Sequence, residues 1–288
     1  MNSLSNKIDF AVILRVNHAN PNGDPLNGNR PRTDYSGLGE ISDVCLKRKL
    51  RDRLQESGAA IFVQSDDRKK DEYTSLKDRA QKVLGKAFGG SEMAAKACEI
   101  WFDVRAFGQL FPYKNESKGK GKKKQDSDEE SEGQGGPVSI PVRGPVTVQS
   151  AFSVAPVDVT STQITKSVSG EGDGTKRGSD TMGMKHRVDN AVYIFFGSMN
   201  PQLAERTGFS DADAEAIKAQ LPRLFENDAS SARPEGTMRV LKVFWWKHSS
   251  KPGQYSSARV HGTLKVSPDG TYTLENLHGL TPEEIDGF

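Results

Sequence analysis

The segment IDFAVILRVN, residues 8–17, running into NPNGDPLNGNRPR, residues 20–32, decides how the chain is read. Its first part is a run of aliphatic and β-branched side chains, the composition of a strand; its second is a dense series of turn formers that must end that strand. Outward from it, Leu46, Leu50 and Leu54 recur every fourth residue within 41–56, which places one apolar stripe on a helix with Ser42 as its cap. Helical patterns over 74–87 and 91–102 read as an insertion. Strand composition returns at 142–154 and 191–196, the pattern Ser210-x-x-Asp213 opens a helix predicted over 210–227, and a last strand is predicted over 238–246. The strong elements therefore run strand, helix, strand, strand, helix, strand. That is the order of the ferredoxin-like arrangement and of RNA recognition motifs, so the predicted class is α+β.

The 288 residues allow one large domain or two small ones. A hydrophobic fraction of 34% is low, and 28 glycines bring the chain to the lower edge of normal usage, enough for a core with many loops. With 40 Lys+Arg against 38 Asp+Glu the net charge of +2 excludes a uniformly basic surface, so anion binding must come from local clusters. Residues 114–136 combine lysines, acids and glycines without an aliphatic side chain, which predicts a disordered charged loop. Residues 167–183 mix glycines with charges, a structureless run of the kind that is often functional. From 229 to 265 bases outnumber acids, and from 266 to 288 there are acids and no base. This is a solvated strand face beside a solvated tail, or a head-to-tail contact between copies. The apolar stretch 10–16 is interrupted by Arg15 and too short to cross a bilayer, and Cys45 and Cys98 fit no metal or redox spacing. A soluble, cytoplasmic protein with no membrane partner is expected.

No Gly-Lys pair is followed by Ser or Thr, which argues against a phosphate-binding P-loop. His18, His186, His248, His261 and His278 are scattered, with no carboxylate or cysteine at zinc-site spacing, and each reads as a surface or loop histidine. There is no Gly-x-Ser-x-Gly elbow and no local Cys/His signature of nucleophilic catalysis, and neither a metal nor a cofactor is expected. Asp24 and Asp34 flank the first glycine-rich loop. They either bind a divalent cation near an RNA phosphate, or make a turn before Pro25 and a local cap.

Basic residues carry the stronger signal. Lys47 and Arg51 lie one helical turn apart with Arg48 adjacent, placed to meet successive phosphates as long as that face is exposed. Arg30 and Arg32 flank Pro31, and the neighbouring glycines let a sugar-phosphate chain approach main-chain N–H groups. Lys166, Arg177, Lys185 and Arg187, with Met182 and Met184 among them, describe either an ordinary exposed loop or a flexible hairpin whose methionines wedge between stacked bases. The segment VYIFF, 192–196, lacks the Lys/Arg-Gly-aromatic signature of an RNA recognition motif, so loops gripping the backbone are preferred to a stacking sheet face.

The loop 20–32, the DVRAFG turn at 103–108, GPVTVQ at 144–149 and the block 182–197 together resemble the Csd subtype of the Cas-seven family, the backbone subunits of the type I-C CRISPR surveillance complex, Cascade. The resemblance implies a modified ferredoxin-like palm over 1–57 and 137–265 that contains a thumb hairpin at 160–187. A helical insertion at 58–113, the charged loop 114–136 and an acidic C-terminal tail at 266–288 complete the chain. It implies a non-catalytic subunit that polymerises as a filament along a CRISPR guide RNA and presents it for pairing with target DNA in antiviral defence. Its partners would be other copies of itself and the large, small and guide-end-capping subunits. The palm contacts implied are Arg30, Arg32, Lys47, Arg48 and Arg51, and those of the thumb and its base are Lys166, Arg177, Met182, Lys185 and Arg187. Two alternatives stand beside this reading: a metal-dependent RNA-cleaving relative of the type III kind that uses Asp24 and Asp34, and a stand-alone single-stranded nucleic-acid-binding protein.

Overall fold

Strand β1 (Ile8–Ala19) is apolar on both sides because both of its faces are covered: Phe10, Val12, Leu14 and Val16 enter one core, Ala11 and Ile13 another. The computed structural model, which describes residues 3–113, 138–166 and 182–288, places this strand in the middle of the molecule. The first loop is closed by the two-residue ladder of β2 (Gly23–Asp24) with β3 (Arg30–Pro31), and β4 (Leu38–Ile41) leads into α1 (Asp43–Glu56). A helical region follows with α2 (Leu76–Leu84), α3 (Met93–Ile100) and α4 (Phe102–Phe107), then the hairpin partners β5 (Gly108–Tyr113) and β6 (Val138–Arg143). Strands β7 (Val146–Val148), β8 (Ala151–Pro156), β9 (Val159–Thr165) and β10 (Met182–Met199) precede α5 (Pro201–Thr207) and α6 (Asp211–Gln220). The chain closes with β11 (Met238–Lys247), α7 (Ser257–His261), the ladder of β12 (Leu264–Val266) with β13 (Tyr272–Leu274), and β14 (Glu283–Asp286).

The result is an α+β fold around one antiparallel sheet of order β14-β11-β1-β10-β8-β4, with β7 and β9 also paired to β10. Helices α1 and α6 supply the stripes that fill the first core, through Leu46, Leu50, Leu54, Ala214 and Ile217. The second core, on the opposite face, is roofed by the C-terminal residues Val260, Leu264, Leu277 and Leu280. A third cluster, Phe62, Met93, Trp101, Val104 and Phe111 among its members, lies inside the helical region. No helix among the described residues is long and apolar enough to cross a membrane.

Local chemistry accounts for the element ends and for the departures from the sequence reading. Ser42 caps α1 by accepting from the Cys45 N–H, and Ser210 and Asp213 close a reciprocal capping box on α6. That helix stops at Gln220 rather than 227, because Pro222 cannot continue the ladder and the chain tightens into a 3₁₀ turn over Leu221–Arg223. The segment 91–102 is two helices broken at Trp101, whose φ of −105° and ψ of 122° are extended, and the 103–108 turn is mostly helix α4, ended by Gly108 at φ +81°. The strand at 191–196 is the middle of the much longer β10. The charged loop 114–136, Arg177 and most of the 167–183 glycine run lie outside the described residues.

The C-terminal acids meet bases of their own chain. Lys218 reaches Glu283 at 2.5 Å, Lys242 reaches Asp286 at 2.6 Å, Arg259 pairs with Glu275, and β14 itself adds an edge strand to the central sheet. The charge asymmetry along the sequence is thus answered partly within the fold.

His248 and His261 are not surface histidines. His248 Nε2 lies 2.9 Å from Asp9 Oδ2 and its Nδ1 accepts from the Gln254 N–H, so the ring proton is on Nε2 and is donated to the carboxylate. Lys7 Nζ is 3.2 Å from the same oxygen, and His261 Nε2, its ring stacked on Phe196, is 3.4 Å from Asp9 Oδ1. Burial opposes the charge on Asp9, but the His248, His261 and Ser257 hydrogen bonds and the Lys7 charge outweigh it, holding the carboxyl well below the usual range. This cluster pins the C-terminal roof to the central strand.

Two expectations follow from this packing. A Cβ at Gly197 would fall 2.1 Å from Phe10 Cζ, so Gly197→Ala should destabilise by about 1–3 kcal/mol in chemical denaturation, as overpacking does. Asp9→Asn should destabilise by about 2 kcal/mol or more at pH 7. Because the folded-state pKa of Asp9 is depressed, the wild-type advantage is complete above about pH 5 and shrinks at lower pH, where the unfolded carboxyl protonates first; denaturation midpoints at pH 7, 5 and 3 check the sign.

Candidate nucleic-acid interface

The first glycine-rich loop is a built structure. Gly28 and Asn29 take left-handed backbone at φ of 57° and 60°, which turns the chain back so that the Asn29 N–H bonds the Asp24 carbonyl and β2 pairs with β3. Asn22 Oδ1 accepts from both the backbone N–H and the hydroxyl of Ser42 at 2.9 Å, which fixes the loop to the start of α1. On its other side the loop meets the β9–β10 hairpin: Arg30 Nη2 donates to Ser161 Oγ at 2.9 Å, and Ser161 Oγ lies 2.8 Å from His186 Nδ1. Between loop and hairpin is a cleft of about 220 Å³ lined by Asn20, Asn29, Ile164, Met184, Lys185 and His186, with Gly28 and the 231–232 backbone at its rim.

The expected site residues divide between this cleft and the helix. Arg30 and Lys185 flank the cleft and are exposed; neither has an acidic partner among the described residues, and Lys166 at the end of β9 is likewise exposed and unpaired there. Met182 and Met184 are exposed on β10, one facing solvent at 67% and the other at the cleft. Arg32 lies 3.5 Å from Asp24, and Arg187 is 3.2 Å from Asp189, whose carboxyl is held below its ordinary value by the Thr160 hydroxyl and by Arg187.

On α1 each named base meets a carboxylate. Lys47 pairs with Asp43 at 3.0 Å, and Arg48 with Asp67 at 3.3 Å and Asp52 at 3.6 Å. Arg51 is only 14% exposed: its Nε donates to Asp103 Oδ2 at 3.1 Å and its guanidinium lies over the Phe107 ring. Asp103, 1% exposed, also accepts from the Phe62 and Val63 N–H groups, so this pair bolts α1 to the helical region and Arg51 is not presented to a ligand. The helical spacing of Lys47 and Arg51 was legible; the packing that buries one of them comes from 52 residues further along.

The two loop aspartates make local turns. Asp24 Oδ1 accepts from the Leu26 N–H and faces Arg32; Asp34 Oδ1 accepts from the Ser36 and Leu38 N–H groups at 2.9 and 2.8 Å. Among the described residues no group of three or more His, Cys, Asp or Glu is placed to hold a metal ion. Ser161 and Ile164 had no signal in the sequence, and neither the 20–32 loop nor the list of histidines showed that Asn20 and His186 meet, because the register that pairs 159–165 with 182–188 is a tertiary feature.

The family profile described as CRISPR-associated protein Cas7 matches residues 6–281. A protein of Haloferax volcanii described as CRISPR-associated protein Cas7 is 26% identical over 282 residues, covering 94% of this chain and 78% of the relative. Chains of two solved structures are also similar. One, from a CRISPR RNA-guided surveillance complex in a pre-nicking state, has a TM-score of 0.47 at 16% identity over 83% of this chain and 78% of its own length. The other, from a CRISPR RNA-guided surveillance complex, has a TM-score of 0.43 at 17% identity over 92% and 77%.

The burial of Arg51 separates structural from binding roles on α1. Arg51→Ala leaves the Asp103 carboxylate buried without its cation, so a loss of about 3 kcal/mol is expected in urea denaturation, while nucleic-acid affinity of the folded protein stays at the wild-type value.

Proposed function

This chain belongs to the CRISPR-associated Cas7 family, and from that premise we propose that it is a non-catalytic, guide-RNA-binding backbone subunit of a CRISPR surveillance complex of type I-C, acting in antiviral defence. The names of its relatives, a Cas7 protein and chains of RNA-guided surveillance complexes, support the assignment to guide RNA and to an assembly with other subunits. The type I-C assignment rests on the motifs of the 20–32 loop and of residues 103–108, 144–149 and 182–197. In this reading copies of the chain polymerise in the cytoplasm as a filament along the guide, hold it for pairing with target DNA, and meet large, small and guide-end-capping subunits. The strand order β11-β1-β10-β8 with α1 and α6 between consecutive strands supports a ferredoxin-like palm, and the projecting β9–β10 pair supports a thumb.

The observation that carries the reading is the joining of the Arg30 loop to the β9–β10 hairpin across one cleft, with Arg30, Lys185 and Lys166 free of carboxylates among the described residues. Cations unneutralised by the protein are those that release counterions on meeting phosphate. Arg32, Lys47, Arg48 and Arg187 belong to the same proposed surface but must exchange a carboxylate partner for a phosphate, a smaller net gain. The turn-making roles of Asp24 and Asp34 support binding without cleavage.

The double variant Arg30→Ala/Lys185→Ala should weaken binding of single-stranded RNA about equally for all sequences and flatten the slope of log affinity against log salt by about one to two units, read by fluorescence anisotropy. A loss confined to particular sequences would speak against backbone gripping, and RNA cleavage in Mg²⁺ that Asp24→Ala abolishes would replace the reading with the nuclease alternative.

A further inference from the structure

Asparagine is followed by glycine twice in the first loop, at Asn22-Gly23 and Asn27-Gly28, and the fold treats the two pairs in opposite ways. Asn22 is clamped. Its Oδ1 accepts from the N–H and hydroxyl of Ser42, its carbonyl accepts from the Arg32 N–H at 3.0 Å, and Gly23 is held in the ladder opposite Pro31. Asn27 is exposed at the end of the short 3₁₀ turn Pro25–Asn27, and among the described residues neither its side chain nor the Gly28 N–H has a hydrogen-bond partner. Gly28 borders open space, where an added Cβ would meet no atom within 4 Å.

These are the conditions in which an asparagine side chain reacts with its own backbone. The Gly28 nitrogen gives its proton to water and bonds to Asn27 Cγ; the Cγ–Nδ2 bond breaks and the amide nitrogen leaves as ammonia. Water then opens the five-membered succinimide at either of its carbonyls, which leaves aspartate or isoaspartate at position 27. Nothing is oxidised or reduced, one water is taken up and one ammonia released. Ring closure turns the peptide between residues 27 and 28 towards the side chain, and glycine, which has no Cβ and accepts both signs of φ, opposes that motion least. At Asn22 the same motion breaks the β2–β3 ladder and the two bonds from Ser42. The geometry points to Asn27 as a site of spontaneous deamidation, with water as the co-reactant, and to the carboxylate it creates as a charge that weakens the loop's hold on an anionic strand. Residue 27 stands three positions before Arg30, which has no carboxylate partner among the described residues, so the new charge offsets a cation that the fold leaves unneutralised. Isoaspartate also lengthens the main chain inside the turn that the Asn29 N–H closes on the Asp24 carbonyl. The effect on binding rests on the nucleic-acid reading above; the modification itself does not.

The test incubates folded wild-type protein at neutral pH beside a sample held in denaturant, and fragment-ion mass spectrometry reads positions 22 and 27 in each. In denaturant both asparagines should convert; in the folded protein Asn27 should convert while Asn22 stays intact, and isoaspartyl methyltransferase should label the folded product. Survival of Asn27 in the folded protein, or conversion of Asn22 at the same pace, overturns the site. For the effect on binding, Asn27→Asp should weaken single-stranded RNA binding by about two- to fivefold at low salt, the worth of one surface ion pair, and flatten the slope of log affinity against log salt by up to about one unit. Stored wild type should drift towards the Asn27→Asp affinity, and stored Asn27→Gln, whose longer side chain closes the ring far more slowly, should keep its initial value. An Asn27→Asp affinity equal to wild type overturns the effect on binding. If fresh wild type binds no RNA, the nucleic-acid reading falls and the effect on binding with it, while the fragment map still decides the modification.

Discussion

The pairing of β1 with β10 is the constraint on which the rest of the molecule depends. β1 is buried on both faces over most of its length, so a slip of one residue would exchange the sets that enter the helix-side and roof-side cores and would place Asp9 and Arg15 among the leucines of α1. That two-sided burial fixes the register from Ile8↔Met199 to Ala19↔Val188. Val188 is also the position at which β10 leaves β1 and is still paired to β9 through Val159. One continuous strand therefore runs from the rigid centre into the projecting hairpin, and the residues at the base of that hairpin inherit their positions from the core.

The roof over the second face has no long helix to hold it. It is held by its apolar contacts and by polar ones at two ends, the Asp9 cluster and the Arg15 contact with the Asp269 carbonyl. Exposed pairs such as Lys242–Asp286 contribute little in water, on the order of 0–1 kcal/mol. The buried Asp9 cluster differs, because an unsatisfied carboxylate there has no water to fall back on. The C-terminal layer thus combines a buried apolar cluster with a few buried polar atoms, and its exposed acids pair with bases of their own chain.

Sequence periodicity made α1 and the long apolar strands legible because their signals are local: a leucine every fourth residue, a serine cap, a run of β-branched side chains ended by turn formers. The same reading singled out the first loop and the methionine-bearing segment, taken as an exposed loop or a hairpin, that together line the cleft. It could not see which face of α1 would be covered, because Asp103 is brought to Arg51 by the packing of the helical region. Nor could it pair His248 with Asp9 across 239 residues, or Ser161 with His186 across a strand register. Spacing along a helix says which side chains share a face; only tertiary packing says what that face meets.

Charge at the interface is decided by this pairing more than by composition. A chain with 40 bases and 38 acids presents almost no average field, so a site exists only where packing separates a base from every carboxylate. On α1 the acids at 43, 52 and 103 come with the helix or are folded against it, and the basic stripe is largely neutralised. At the cleft Arg30 is held by a serine hydroxyl instead. A neutral acceptor orients the guanidinium without cancelling its charge, so the same hydrogen bond fixes Arg30 and leaves it without a carboxylate partner among the described residues. The position of the loop and the charge it presents are two consequences of one contact.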